Sequence, residues 1–159
     1  MKEKLRCLSL VLYLAFINSV FAQSWEPAGN HIKTRWADQI NPACPLLEYP
    51  RPQLQREGWL NLNGLWNYAI LPKGSALPGQ FDGKILVPFA IESSLSGVKK
   101  KVGVENELWY HRSFTLPESW RKNRVILNFG AVDWKADVWI NDLKIGSHQG
   151  GYTSFSFDI

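Results

Sequence analysis

The feature that most narrows the fold is a period-two alternation running through the second half of the chain. Leu108, Tyr110, Arg112, Phe114 and Leu116 alternate with Trp109, His111, Ser113 and Thr115. Val125, Leu127 and Phe129 alternate with Ile126 and Asn128, and Trp134, Ala136, Val138 and Ile140 with Lys135, Asp137 and Trp139. Phe155, Phe157 and Ile159 do the same against Ser154, Ser156 and Asp158. Successive side chains of a strand point to opposite faces, so each run places one apolar row on a core and one row outward. Asn141-Asp142 sits between two β-rich runs, where a two-residue hairpin needs residues that tolerate positive φ; the return strand is read as Leu143-Lys144-Ile145.

Upstream the same reading holds with more interruptions. Leu60 and Leu62, then Trp66, Tyr68 and Ile70, alternate across Gly64, which is read as a bend or bulge between two half-strands. Ile85-Leu86-Val87 predicts a short strand stopping at Pro88, and a loop from Ala90 to Asn106 follows. No ten-residue stretch has helical period, so the expectation is an all-β antiparallel sandwich over residues 59–159. The run ending at Ile159 still alternates with no closing turn, which predicts a sandwich incomplete at its C-terminus.

Residues 23–58 read as an extended, proline-rich lead-in arm, since Pro27, Pro42, Pro45, Pro50 and Pro52 each disfavour helix at the preceding residue. Trp25 and Trp36 either pin this arm to the domain or line a ligand groove. Residues 1–22 have the three parts of a secretory signal: Lys2, Lys4 and Arg6, then an apolar run from Leu8 to Phe21, then Ala22. That run is shorter than the roughly 20 residues a bilayer crossing needs, so the reading is an exported protein, periplasmic or extracellular, starting at Gln23. Cys44 is then the one remaining cysteine, which excludes an internal disulfide and a paired-cysteine metal site. Stability must come from a core, for which the 45% hydrophobic content suffices. Without Lys2, Lys4, Arg6 and Glu3 the formal charge of +4 falls to +2, so nucleic acid is not an expected partner, and Lys99-Lys100-Lys101 reads as a solvated loop. His31, His111 and His148 are too scattered for zinc.

Five segments in order carry a more specific message: Arg51-Pro52-Gln53 with Leu60 to Trp66; Val87-Pro88-Phe89 with Glu92 to Gly97; Leu108-Trp109-Tyr110-His111-Arg112-Ser113-Phe114; Phe129 to Trp134 with Val138-Trp139-Ile140-Asn141-Asp142; and Gly146 to Tyr152 closing on Phe155 and Phe157-Asp158-Ile159. Together they resemble the N-terminal sugar-binding domain of glycoside hydrolase family 2, the family of β-galactosidases, β-glucuronidases and β-mannosidases. The resemblance implies a jelly-roll-like, galactose-binding-domain-like sandwich. It also implies partner domains, an immunoglobulin-like domain and a (β/α)8 barrel holding both catalytic carboxylates. The implied ligand is a carbohydrate of the β-glycoside class; no cofactor or metal site is read in the chain's own residues. Some β-galactosidases of the family approach the sugar or its metal ion with an Asp in the loop matching residues 148–152, where this chain has Gly150.

The resemblance puts the candidate carbohydrate contacts at Asn106, His148 and Gln149, and no catalytic residue in the chain. His148 with Gly150-Gly151 is read as a loop at a sheet end, either a turn needing glycine's freedom or a loop reaching toward the barrel's active site. Trp66, Trp109 and Trp139 are expected in the core or between sheets, and Arg112 paired with a carboxylate. Glu105 and Glu107 would stand about 7 Å apart on one strand face. A retaining glycosidase needs carboxyls roughly 5 Å apart in a pocket; the spacing is tolerable, but nothing in the sequence builds a pocket around them, so these two are read as solvated loop acids before a strand. The alternative to a glycosidase module is a stand-alone carbohydrate-binding or structural sandwich.

Overall fold

A computed structural model describes residues 25–29, 32–47 and 57–159. The predicted signal over 1–22, Cys7, His31 and Arg51-Pro52-Gln53 lie outside the described residues. The described part is all-β and antiparallel, as the alternation predicts. Its strands are β1 (Gly64–Pro72), β2 (Gly83–Val87), β3 (Asn106–His111), β4 (Ile126–Phe129), β5 (Lys135–Ile140), β6 (Leu143–Gln149) and β7 (Phe155–Asp158). They form three sheets, ordered β2-β1-β3, β4-β7 and β5-β6. Among the described residues no helix is long and apolar enough to cross a membrane.

The best-buried core lies on the first sheet. Ile85 and Leu86 of β2 are fully buried, and Tyr68 and Ile91 pack with Ile85. Trp66, Ile70, Val98, Val102 and Leu108 close around that cluster, so the predicted inward row of β1 is the observed one. The Ala90–Asn106 loop is tied down by Ser96, whose buried hydroxyl donates to the Ile91 and Ser93 carbonyls and accepts the Val98 N–H. Sheets meet through aromatic rings. Trp109 of β3 and Trp139 of β5 lie 5.0 Å apart, as expected of inter-sheet tryptophans. On the opposite face of the β5–β6 hairpin, Gly146 lies directly against the Phe157 ring of β7.

The arm touches the domain through residues 25–29 and again through 32–47, where Asn63 Nδ2 donates to the Pro45 carbonyl at 3.2 Å. Ala28 N–H donates to the Ser94 carbonyl at 2.8 Å, and the Trp25 ring lies against Gly97, where a Cβ would come within 2.9 Å of it. Trp36 is 58% exposed with Arg35 stacked over it, so of the two tryptophans it is Trp25 that anchors the arm.

Several sequence expectations need correction. The predicted strand from Trp59 starts only at Gly64. Asn61 Oδ1 takes the Asn63 N–H at 2.7 Å, and Arg112 donates to the Leu62 and Asn63 carbonyls at 2.8 and 2.9 Å. Backbone groups held by side chains are not free for a ladder. Arg112 thus serves carbonyls where a carboxylate partner was expected, and its burial lowers its pKa. The alternation to Leu116 also outruns β3, whose ladder with β1 ends at the Asn67–His111 pair. Conversely β6 is longer than its predicted three residues and takes in 146–149. Trp134, expected inward, precedes β5 and is 62% exposed. Ile159 lies past β7 and is 37% exposed.

The β5–β6 turn is as predicted: Asn141 and Asp142 have φ of 49° and 64°, the mirror-image turn that suits strand twist. A non-glycine residue in this region carries strain of about 1 kcal/mol or more, partly offset by the extra unfolded-state freedom of glycine. Asp142→Gly should therefore raise unfolding free energy by about 0.5 kcal/mol, read as a higher urea midpoint. An unchanged or lower midpoint would show that the turn is not held in this form.

Candidate functional site

The candidate residues gather where the β5–β6 hairpin opens, at the end away from its turn. Lys135 pairs with Gln149 and Ala136 with His148. Beyond that pair, the 130–134 loop enters β5 and the 150–154 loop leaves β6. The two loops are joined by a hydrogen bond from Gly150 N–H to the Trp134 carbonyl at 2.7 Å. Gly150 has φ 128°, which side-chain-bearing residues rarely adopt, and a Cβ there would come within 2.9 Å of Thr153 Oγ1. At Gly151 a Cβ would meet Asp133 Oδ1 at 2.6 Å, so a larger residue there would push the carboxylate aside.

His148 and Gln149 are strand residues here, not loop residues, because β5 supplies ladder partners for both. The His148 ring stacks on Phe155 with centroids 4.2 Å apart and planes 16° apart, and Phe155 in turn stacks on Phe129 at 4.7 Å. His148 Nε2 lies 3.0 Å from Thr153 Oγ1, which closes the 150–154 loop over the strand end. Gln149 is exposed on the opposite face. Asn106 is held elsewhere, at the start of β3 opposite Pro72 in another sheet. Its Nδ2 donates to the Val102 carbonyl at 2.8 Å. The structure therefore joins His148 and Gln149 as sequence neighbours on β6 and keeps Asn106 on a separate sheet.

Sequence reasoning missed Asp133, Trp134 and Tyr152 as surface residues of this end. Trp134 is 62% and Tyr152 100% exposed. The available signal was Asp133-Trp134 next to a strand start, with Gly150-Gly151-Tyr152 at a strand exit; alternation assigned Trp134 to the core instead. Glu107 accepts a hydrogen bond from Trp109 Nε1 at 3.1 Å, which ties it to the neighbouring strand residue. Among the described residues no three His, Cys, Asp or Glu side chains group to hold a metal ion.

Residues 94–159 match the family model described as "Glycosyl hydrolases family 2, sugar binding domain". A β-glucuronidase of Paenibacillus borealis is 26% identical over 117 residues, which cover 70% of this chain and 20% of that protein. A β-glucuronidase of Felis catus is 29% identical, covering 70% of this chain and 19% of that protein. A β-galactosidase of Thermoanaerobacter pseudethanolicus is 30% identical, covering 63% of this chain and 14% of that protein. Among solved structures, Bifidobacterium dentium β-glucuronidase complexed with coumarin-3-O-glucuronide is 27% identical, with a TM-score of 0.45 over 61% of this chain and 16% of that one. The chain spans about a fifth of the length of the first two of these relatives.

Proposed function

We propose, starting from a chain that carries a sugar binding domain of glycosyl hydrolases family 2 over residues 94–159, that it is the non-catalytic carbohydrate-binding part of an exported glycoside hydrolase. The family match carries this reading, and the segments that set up the hairpin's open end, Phe129 to Trp134 and Gly146 to Tyr152, fall inside it. Hydrolysis of the O-glycosyl bond belongs to a (β/α)8 barrel that is not within residues 1–159, with an immunoglobulin-like domain between. The substrate class is a β-glycoside, in keeping with relatives named β-glucuronidase and β-galactosidase. Asn106, His148 and Gln149 remain proposed carbohydrate contacts. Of these Gln149 is the most accessible, while the other two also have structural partners.

The signal over 1–22 sends the protein to the periplasm or the outside, with Gln23 as first residue. Intact mass of exported material tests this, and mature protein retaining Lys2 in the membrane would overturn it. For the function, the purified chain should bind β-linked sugars yet turn over no aryl-β-glycoside of galactose, glucose, glucuronic acid or mannose. Turnover lost on Glu105→Gln or Glu107→Gln would place catalysis in this chain and sink the proposal.

A further inference from the structure

The turn from Ser93 to Gly97 is clasped from outside by the N-terminal arm. Ala28 N–H donates to the Ser94 carbonyl at 2.8 Å, and Ser94 Oγ donates back to the Ala28 carbonyl. The Trp25 ring lies so close to Gly97 that a Cβ there would come within 2.9 Å of it, and Trp25 Nε1 is shielded from water. The same turn governs the stretch that follows it. Ser96 is fully buried, and its hydroxyl accepts the N–H of Val98 at 3.0 Å and of Lys99 at 3.3 Å. Lys100 N–H returns to the Ile91 carbonyl at 3.2 Å. Contacts therefore run unbroken from Trp25 through Gly97 and Ser96 to the basic stretch Lys99-Lys100-Lys101.

We propose that residues 25–29 form a strap that closes on the Ser93–Gly97 turn only after the signal over 1–22 is removed, and that its closure orders Lys99–Lys101. The timing rests on the export reading above; the strap itself does not. Trp25 follows Ala22 by three residues, a span of about 10 Å at full extension. With Trp25 seated on Gly97, the bond between Ala22 and Gln23 is confined to that distance from the folded domain. Proteases cut exposed, free chain, so a seated strap and an accessible bond compete. A precursor with Leu8 to Phe21 in a bilayer adds a second constraint, because it holds the same bond at the membrane surface. Both constraints leave with the signal. The exported chain then has its strap closed, whereas the precursor has it open and its basic loop labile.

Limited trypsin digestion tests this, with first cuts mapped by mass spectrometry. Cleavage after Lys99, Lys100 or Lys101 tracks the open population of the loop. Cleavage after Arg121, an exposed side chain outside that loop, is the reference that rises with global unfolding. In the chain starting at Gln23, Trp25→Ala should speed the loop cuts about 10-fold through loss of an aromatic contact. Ser94→Ala should speed them about 3-fold through loss of one hydrogen bond. The cut after Arg121 should not change in either, and Trp36→Ala, at the exposed tryptophan of the arm, should alter no rate. The precursor 1–159 in lipid nanodiscs should be cut in the loop about 10-fold faster than the mature chain, with little added by Trp25→Ala. Signal peptidase should restore the slow rate. Loop cuts indifferent to both Trp25→Ala and Ser94→Ala would overturn the strap, as would a rise at Arg121 equal to that in the loop. A precursor as protected as the mature chain would overturn the order of closing. A precursor that signal peptidase leaves whole would overturn the export reading and the timing with it, while the variant rates on chain 23–159 still judge the strap.

Discussion

Ile85→Ala is expected to lower unfolding free energy by about 2–5 kcal/mol, the range for deleting a buried branched side chain and leaving a cavity. Ile85 has no exposed surface and sits on β2 directly opposite Trp66 of β1. Tyr68 and Ile91 pack on it, and Trp66, Ile70, Val98, Val102 and Leu108 surround that group. Aromatic neighbours are rigid, and β2 is held in register by five pairs with β1, so the gap has little scope to collapse. Buried apolar side chains are few among the described residues, with Ala37, Pro45, Ala69, Leu86 and Val138 completing the set. A domain's net stability is about 5–15 kcal/mol, so one such loss removes a large share. The measurement is urea unfolding followed by tryptophan fluorescence. The midpoint should fall steeply with little change in slope; a loss below about 1 kcal/mol, the level of a surface change, would place the core elsewhere.

Gly146→Val is the second large effect, and its sign runs against local propensity. Valine favours strands and glycine does not, by up to about 1 kcal/mol, so pattern reasoning predicts stabilisation in the middle of β6. In the structure a Cβ at Gly146 would overlap the Phe157 ring, so the two cannot coexist without displacing the contact between β6 and β7. Overpacking of this kind costs about 1–3 kcal/mol. A cycle with Phe157→Ala isolates the cause. The valine should cost much less once the ring is gone, giving a coupling of about 1–2 kcal/mol between the positions. Additive effects in thermal unfolding would mean that β6 and β7 do not meet at Gly146.

Legibility differed from segment to segment for physical reasons. Strands whose inner and outer rows face unlike surroundings were readable: Leu127 and Phe129 of β4 are shielded, and Ile126 and Asn128 are exposed, as the alternation predicts. The Asn141-Asp142 turn was readable because positive φ restricts the residues that can form it. Alternation failed where side chains capture backbone groups, as Arg112 does with the Leu62 and Asn63 carbonyls. It failed again at 146–149, because glycine and polar residues look like loop until β5 supplies a partner for each.

From residue order alone came the all-β class, the antiparallel hairpin with its turn, the inward row of β1, and the resemblance to a sugar-binding domain. Each of these depends on contacts close in the chain, or on a motif read in order, where side-chain period and turn chemistry suffice. The tertiary structure alone decided which side chains serve the surface. Trp134 continues an apolar row in sequence, yet its carbonyl is held by Gly150 and its ring stays in water beside Asp133. The difference is one of range: alternation says which face a residue takes within a strand, but not whether the strand has begun. That boundary is set by a partner, here a β6 exit sixteen residues further on, and no local pattern around Trp134 encodes it.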